Sequence, residues 1–286
     1  MKRLDVADLA AQMVALWGAL GSCGVIAPLF FKRSPTVQER QEWGKGIPWV
    51  MLLPPQIETD SFATVVACIA GAMKQVLPEL EPEIAAVDRA LTQDESLKAV
   101  LVDYLRERII RKGGVMREVP LPSGLSPEAV GFVTGTAARL LMRAYAKEAA
   151  AWFTAGEWHR GVCPVCGNYP VFAVLQGEER ARHLYCGLCG TRWRFERLAC
   201  PFCGRQDGQG ELLIWEEQPA YRVYLCHECR AYLKAFDAKW GEPEDLLVES
   251  FRTLFLDLLA LREGYQNPAL EWSNLLVEPH SLRLED

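Results

Sequence analysis

Eight of the ten cysteines in this 286-residue chain share one spacing and lie in one stretch. Each pair has the form Cys-x-x-Cys, which can turn two sulfurs toward one ion, and we call each pair a knuckle. In chain order the knuckles are Cys163/Cys166, Cys186/Cys189, Cys200/Cys203 and Cys226/Cys229. A single pair is a weak signal, whereas repeated pairs are typical of metal sites. Four sulfur ligands favour zinc or iron, and the ligand set does not separate these two metals.

The knuckles also form an internal repeat, which predicts how they share metals. The first and third both begin Cys-Pro and continue with glycine. The segment inside each half, 167–185 and 204–225, contains two apolar runs around a turn and predicts a β-hairpin. The simplest arrangement is therefore sequential, with one metal bound by the first two knuckles and another by the last two. A cross-braced arrangement, first with third and second with fourth, is the alternative.

Helical patterns surround the cysteine-rich stretch. Apolar spacing, caps and breakers predict helices at about residues 9–21, 36–43, 61–77, 83–91, 94–112, 126–153 and 243–261. Ser126 and Pro127 supply an N-cap and a first helical position for the long alanine-rich helix. Cys68 has no partner at ligand spacing and is interpreted as a small core residue. Residues 267–286 are expected to form an extended tail packed on the body.

The N-terminal segment permits a second interpretation. Residues 9–31 are almost uncharged, and Leu20 to Cys23 resembles a lipoprotein cleavage box. However, Asp5 and Asp8 stand where a signal peptide has positive charge, and several glycines interrupt the apolar run. We favour a buried helix that ends near Gly21.

Together these patterns predict an α+β protein: a mostly helical N-terminal domain, two tandem rubredoxin-like or zinc-ribbon β modules, and a C-terminal helix. The expected domains are residues 1–158, the two metal ribbons 159–198 and 199–240, and a C-terminal helix and tail, 241–286, packed on the body.

The residues outside the knuckles do not form a recognisable catalytic constellation. The sequence has no phosphate loop, nucleophile elbow or dinucleotide fingerprint. We interpret His183 and His227 as surface residues. Arg192, Arg194 and Arg197 alternate with aromatic residues, which suits either a basic–aromatic binding surface or a strand with one solvated face. The formal net charge of −6 argues against a general nucleic-acid binder.

Three interpretations of the cysteines remain at this point: structural zinc, rubredoxin-like iron that passes or senses electrons, and thiol–disulfide chemistry. The third is the weakest, because a dithiol enzyme needs fewer pairs. The regular spacing and the helical remainder favour thiolates in a reducing cytoplasm.

The order and the flanking residues of the four knuckles resemble the formate dehydrogenase accessory proteins of the FdhE type. The resemblance is carried by Cys163-Pro-Val-Cys-Gly, Cys186-Gly-Leu-Cys-Gly-Thr-Arg-Trp, Cys200-Pro-Phe-Cys-Gly and Cys226-His-Glu-Cys-Arg-Ala-Tyr-Leu-Lys, and by Glu263-Gly-Tyr265 followed by Asn267-Pro-Ala-Leu. It covers about the last 130 residues.

This resemblance implies a cytoplasmic protein that is not itself an enzyme. It implies a maturation factor that binds the molybdenum- or tungsten-containing catalytic subunit of a formate dehydrogenase and holds two metal ions, iron or zinc. All eight knuckle cysteines are then ligand candidates. We expect no nucleic-acid partner and no membrane insertion, and a homodimer is left open. The alternatives are a rubredoxin-like electron carrier and a zinc-ribbon binding module.

Overall fold

The computed structural model describes residues 5–21, 23, 33–110, 121–153, 156–206, 210–214, 218–243 and 245–269. Two expectations lie outside these residues: the end of the helix predicted over residues 94–112 and most of the predicted C-terminal tail. Within the described ranges the predicted α+β class is confirmed, with helices before and after one sheet.

The N-terminal part is a bundle of helices around a buried apolar core. The helices are α1 (Val6–Leu20), α2 (Val37–Gly44), α3 (Trp49–Leu52), α4 (Thr59–Val76), α5 (Glu81–Gln93), α6 (Glu95–Ile110) and α7 (Pro127–Ala149). Helices α4, α5, α6 and α7 pack on one another, and α1 packs on α4. The short helix α3 was not predicted, since a single turn within a proline- and glycine-rich stretch has too few residues to show a period.

Local signals fix where these helices begin. The Asp5 side chain accepts a hydrogen bond from the amide of Ala7 at the start of α1. Thr36 and Glu39 form a reciprocal capping box on α2. The Ser126 hydroxyl accepts from the amide of Ala129 at the start of α7, as predicted. Each cap satisfies an amide that has no partner inside its helix.

The metal-ribbon region forms one six-stranded sheet. Its strands are β1 (Phe172–Gln176), β2 (Ala181–Tyr185), β3 (Arg192–Arg194), β4 (Gly210–Ile214), β5 (Tyr221–Cys226) and β6 (Tyr232–Asp237), in the spatial order β3-β2-β1-β6-β5-β4. Both predicted hairpins are present, β1 with β2 and β4 with β5. The two halves are joined by parallel pairing of β1 with β6, where Phe172 lies opposite Lys234.

The predicted C-terminal helix is two helices, α8 (Leu246–Arg252) and α9 (Leu254–Arg262), so the prediction of one continuous helix was wrong. At the break, the buried Lys234 ammonium of β6 donates hydrogen bonds to the carbonyls of Ser250 and Thr253. It also pairs with Asp257 at 2.5 Å. The carbonyls at the break are thus satisfied from the sheet, which lets the helix change direction inside the core.

The helix predicted over residues 9–21 is confirmed as α1, with Leu9, Leu16 and Leu20 buried. Beyond it, a disulfide joins Cys23 to Cys68 of α4. Cys68 is therefore bonded and half-buried rather than an unpartnered core residue. Forty-five residues separate the two cysteines, so local spacing gives no sign of the bond. In the part of the chain that the structure describes, none of the helices is long and apolar enough to cross a lipid bilayer.

Candidate metal centres

The backbone of every knuckle is folded in the same way. The amide of the first cysteine donates a hydrogen bond to the carbonyl five residues later, at 2.8 to 3.0 Å in all four. The residue after the second cysteine has a positive φ, which glycine adopts at no steric cost. Three knuckles have glycine there, Gly167, Gly190 and Gly204, with φ between 68° and 76°. The fourth has Arg230, with φ of 56°.

The first centre is formed by the first two knuckles and is completely buried. The sulfurs of Cys163 and Cys189 are 3.5 Å apart, and those of Cys166 and Cys186 are 3.3 Å apart. The Thr191 hydroxyl lies 3.0 Å from the Cys189 sulfur. A hydroxyl that donates to a thiolate stabilises its negative charge.

The second centre is formed by the third and fourth knuckles and lies at the surface. Two of its cross-knuckle sulfur distances are 3.8 Å, from Cys200 to Cys229 and from Cys203 to Cys226. Cys203 and Cys229 are exposed, and the other two are half-buried. The two centres therefore have the same ligand set but different access to solvent.

This geometry suits a tetrahedral metal ion. A metal–sulfur distance of about 2.3 Å places the sulfurs of a regular tetrahedron about 3.8 Å apart. In each group all four sulfurs lie within 4.8 Å of one another. The groups follow the sequential arrangement predicted from the repeat rather than the cross-braced one. Two such groups could hold two metal ions.

Electrostatics favour a cation at the first centre. Burial raises the pKa of the Cys166 and Cys186 thiols well above the ordinary value, and the neighbouring Cys163 sulfur raises both further. Burial acts most strongly on Cys163 and opposes its ionisation, but hydrogen bonds from the other three thiols and from the Cys166 backbone together lower its pKa. One negative sulfur thus suppresses ionisation of its neighbours. A bound divalent ion reverses this balance, because it binds the thiolate forms.

The helical domain holds the first centre directly. The amides of Trp49 and Val50, at the start of α3, donate to the carbonyls of Pro164 and Val165 inside the first knuckle. The Trp43 indole also donates to Pro164, at 3.1 Å. These contacts fix the first knuckle from outside the ribbon.

Helix α7 holds the second knuckle. The Arg139 guanidinium donates to the carbonyl of Gly187 at 3.2 Å. Arg143 donates to the Tyr185 hydroxyl at 3.0 Å and lies over the ring of Trp17. None of these supporting residues was predicted from the sequence, because helical periodicity does not tell which residues meet a metal ribbon.

The second centre is held by the C-terminal segment instead. The Tyr265 hydroxyl lies 2.7 Å from Nδ1 of His227, inside the fourth knuckle. Arg230 stacks on the Tyr265 ring at 4.0 Å and donates to the carbonyl of Glu263. His227 is exposed, in agreement with its interpretation as a surface residue, although it has this partner.

The structure also distinguishes the two interpretations of the basic–aromatic stretch. Trp193 on β3 is fully buried, and its indole donates to the carbonyl of Arg160. Arg192 and Arg194 on the same strand are exposed. This is a strand with one solvated face. His183 on β2 is half-buried, and burial together with Arg192 and Arg194 lowers its pKa.

The comparisons with known proteins agree with this arrangement. Residues 162–197, which contain the first centre, match the model described as "FdhE, central domain". A protein named "Protein FdhE homolog" from Shewanella baltica strain OS223 is 30% identical over 218 residues, which cover 73% of this chain and 66% of the relative. The chain belongs to the FdhE family.

Other members align over shorter stretches or at lower identity. "Protein FdhE" from Escherichia coli O1:K1 / APEC is 31% identical over 116 residues, 39% of this chain and 37% of that protein. The crystal structure of the FdhE protein from Pseudomonas aeruginosa has the same fold, with a TM-score of 0.63 at 18% identity and 98% coverage of both chains. The chain thus spans about two thirds or less of the curated FdhE relatives it matches, and nearly all of the solved structure.

Proposed function

We propose that this protein is a non-catalytic maturation factor that binds the catalytic subunit of a molybdenum- or tungsten-dependent formate dehydrogenase and is needed for its activity. The observation that carries the proposal is the 218-residue alignment with an FdhE homolog, together with two four-sulfur groups set in one folded body. In this proposal all eight knuckle cysteines bind metal. The protein acts in the cytoplasm, without inserting into a membrane and without binding nucleic acid.

The two centres have different tasks in this proposal. The first is embedded in the helical domain and stabilises the fold, because metal-binding energy in a small ribbon is folding energy. The second is at the surface, where a bound client can contact it. Iron or zinc held by the four cysteines of a centre would join its two knuckles, and iron would also allow a one-electron change of charge.

The experiment is an anaerobic affinity purification of the tagged protein from its own host, with captured proteins identified and metal counted in the same sample. We expect the catalytic subunit of a formate dehydrogenase and two metal ions per chain. Deletion of the gene should abolish formate dehydrogenase activity. Normal activity in the deletion strain would overturn the proposal. The same purified sample, analysed by size and mass in solution, decides between a monomer and a homodimer.

A second function is favoured by one observation, the exposure of Cys203 and Cys229. A solvent-exposed four-sulfur iron site is suited to electron transfer with another protein, which is the activity of a rubredoxin-like carrier. This alternative predicts iron at the second centre, reversible one-electron reduction, and a reductase in the eluate in place of the dehydrogenase subunit. Zinc at both centres would exclude it.

A further inference from the structure

Strand β4 is an edge of the sheet with three exposed apolar side chains. Leu212, Leu213 and Ile214 are 42%, 36% and 48% exposed. Among the described strands β4 pairs with β5 alone, so its outer backbone groups face away from the sheet. An edge of this kind is a template for another strand.

The opposite edge of the same sheet shows the contrast. Strand β3 has three residues and presents the exposed charges of Arg192 and Arg194, which discourages pairing with another strand. At β4 the described side chains offer no such protection. Among the described residues, the β3 edge thus carries exposed charges, whereas the β4 edge is apolar at Leu212, Leu213 and Ile214.

Cavities flank both faces of the β4 edge. Leu212 lies opposite Tyr224 on β5, and both line a cavity of about 280 Å³. Leu213 lies opposite Val223 on the other face, and both line a cavity of about 600 Å³ against α9, which Ile214 at the end of the strand also lines. Because successive side chains of a strand point to opposite faces, a strand added to β4 would place alternate side chains toward each cavity.

Both cavities carry arginines. Arg182, Arg197 and Arg205 line the first together with Glu228, which pairs with Arg205, and Arg230 and Arg262 line the second together with Glu263, so arginines outnumber carboxylates in both. Arg182 is 3% exposed and donates to the carbonyls of Glu196 and Ala199. Its Nε–H has no partner among the described residues. The buried cations Arg222 and Lys234 on the same sheet each pair with a buried aspartate, although the Nε–H of Arg222 also has no partner among the described residues.

We propose that the β4 edge binds an extended segment of a partner polypeptide, which adds a strand to the sheet and carries apolar residues at alternate positions next to Asp or Glu residues. The apolar side chains fill the two cavities, and the carboxylates meet the arginines. The occupant in this proposal is a different protein, because pairing with the β4 edge of a second copy would bring a second set of arginines against the first. Since Glu211 of β4 also lies next to apolar residues, pairing of two copies is an outcome that the test must distinguish. With the dehydrogenase subunit as the partner, this inference rests on the proposed function.

The location gives the bound segment a measurable effect on the second centre. Cys200 and Cys226 line the first cavity. A strand docked on β4 therefore covers that side of the sulfur group and slows removal of its metal by a chelator. The first centre, which is already buried, is unaffected.

The test is site-specific photo-crosslinking in the native host. A photoreactive phenylalanine analogue replaces Leu212 in one strain and Val37 in the control strain. Val37 is also apolar, is 74% exposed, lies on α2 and lines neither cavity. Crosslinked peptides are sequenced, and the same cells are used for affinity purification. We expect a crosslink from position 212, and none from position 37, to one extended segment rich in apolar and acidic residues.

The outcomes separate this inference from the proposed function. A crosslink to such a segment of the dehydrogenase subunit supports both, and a crosslink to such a segment of another protein supports the edge and overturns the proposed client. If the subunit co-purifies but position 212 reacts with nothing, with a basic segment, with a second copy, or with residues 270–286 of this chain, the edge proposal fails while the function stands. Absence of both client and crosslink overturns both.

A substitution gives the second readout. Leu212→Asp should weaken partner binding by about tenfold or more, since it places a carboxylate in the apolar contact and leaves the fold intact at an exposed position. Val37→Asp should leave binding unchanged. The wild-type complex should weaken as salt is raised, because charge pairs at a surface are screened. Equal affinity of the two variants would contradict the proposal.

Discussion

At the residue scale, the sheet is tied to the C-terminal helices by one buried ion pair. The Lys234 ammonium is fully satisfied by Asp257 and the carbonyls of Ser250 and Thr253, and the Tyr232 hydroxyl donates to the same aspartate. Burial lowers the pKa of Lys234, and Asp257 opposes that shift. The Lys234–Asp257 pair therefore has a structural role, because the Lys234 ammonium and both Asp257 carboxylate oxygens have hydrogen-bond partners inside the core.

Replacing Lys234 by Met should therefore cost about 3–5 kcal/mol of unfolding free energy, because it leaves the Asp257 carboxylate buried without a cation. The double variant Lys234→Met/Asp257→Leu should recover a large part of that loss. Lys239→Met, at an exposed position, should change stability by less than about 0.5 kcal/mol. Chemical denaturation measures all three, and a Lys234→Met protein as stable as the control would contradict this account.

The raised pKa values of thiols in the first centre predict that stabilisation of the fold by metal depends on pH. Burial keeps the pKa of Cys166 and Cys186 high, so metal must displace protons to bind. The stabilisation that metal provides should be largest at alkaline pH and should shrink as pH falls. The difference in thermal midpoint between metal-loaded and metal-free protein, measured from about pH 8 down to about pH 6, tests this. A difference that grows on acidification would refute it.

At the element scale, the two ribbons touch at a position that excludes a side chain. A Cβ on Gly161 would fall 1.8 Å from the carbonyl oxygen of Pro201, in the third knuckle. The backbone just before the first knuckle thus packs against the backbone of the third. This contact, together with the pairing of β1 and β6, fixes the second ribbon on the first.

Gly161→Ala should push these two segments apart and lower stability by about 1–3 kcal/mol. Gly156→Ala is the matched control, since a Cβ there meets nothing within 4 Å. The midpoint of denaturant unfolding distinguishes them. Equal midpoints would mean that the two ribbons do not depend on this contact.

For helices, strands and knuckles, the sequence predicts the features that depend on neighbouring residues. The cysteine grouping, the hairpins and the long helices follow from patterns within a few residues of each other, such as the Ser126 cap and the spacing of the knuckles. The break between α8 and α9 at Thr253 could not be predicted from local patterns, because the Lys234 ammonium that hydrogen-bonds to the Thr253 carbonyl belongs to strand β6. The parallel pairing of β1 with β6 and the Cys23–Cys68 bond were also missed. Each of these features joins residues that are distant in the chain, and the periodicity of a short segment gives no information about such contacts.

At the scale of the whole molecule, the two sulfur groups differ in exposure. The first is enclosed between the ribbon and the helical domain, whereas the second has two exposed cysteines. Removal of a metal ion bound at the first group would require that part of the core opens, whereas removal from the second would not.

A chelator added to fully loaded protein should accordingly release metal in two phases of equal size. The phase from the second centre should be at least about tenfold faster, because it needs no opening of the core. Cys203→Ser should abolish the fast phase and leave the slow one. Release in a single phase from both centres would show that their environments are equivalent in solution.

The parallel pairing of β1 with β6 has a further consequence during biosynthesis. Residues Phe172–Leu175 are buried and pair with residues about 60 positions later in the chain. At about 5–20 residues per second, a ribosome needs about 3–12 seconds to make that stretch. Throughout this interval the nascent first ribbon exposes an apolar edge. The order of synthesis therefore leaves this edge unpaired until β6 has been made and the sheet can close.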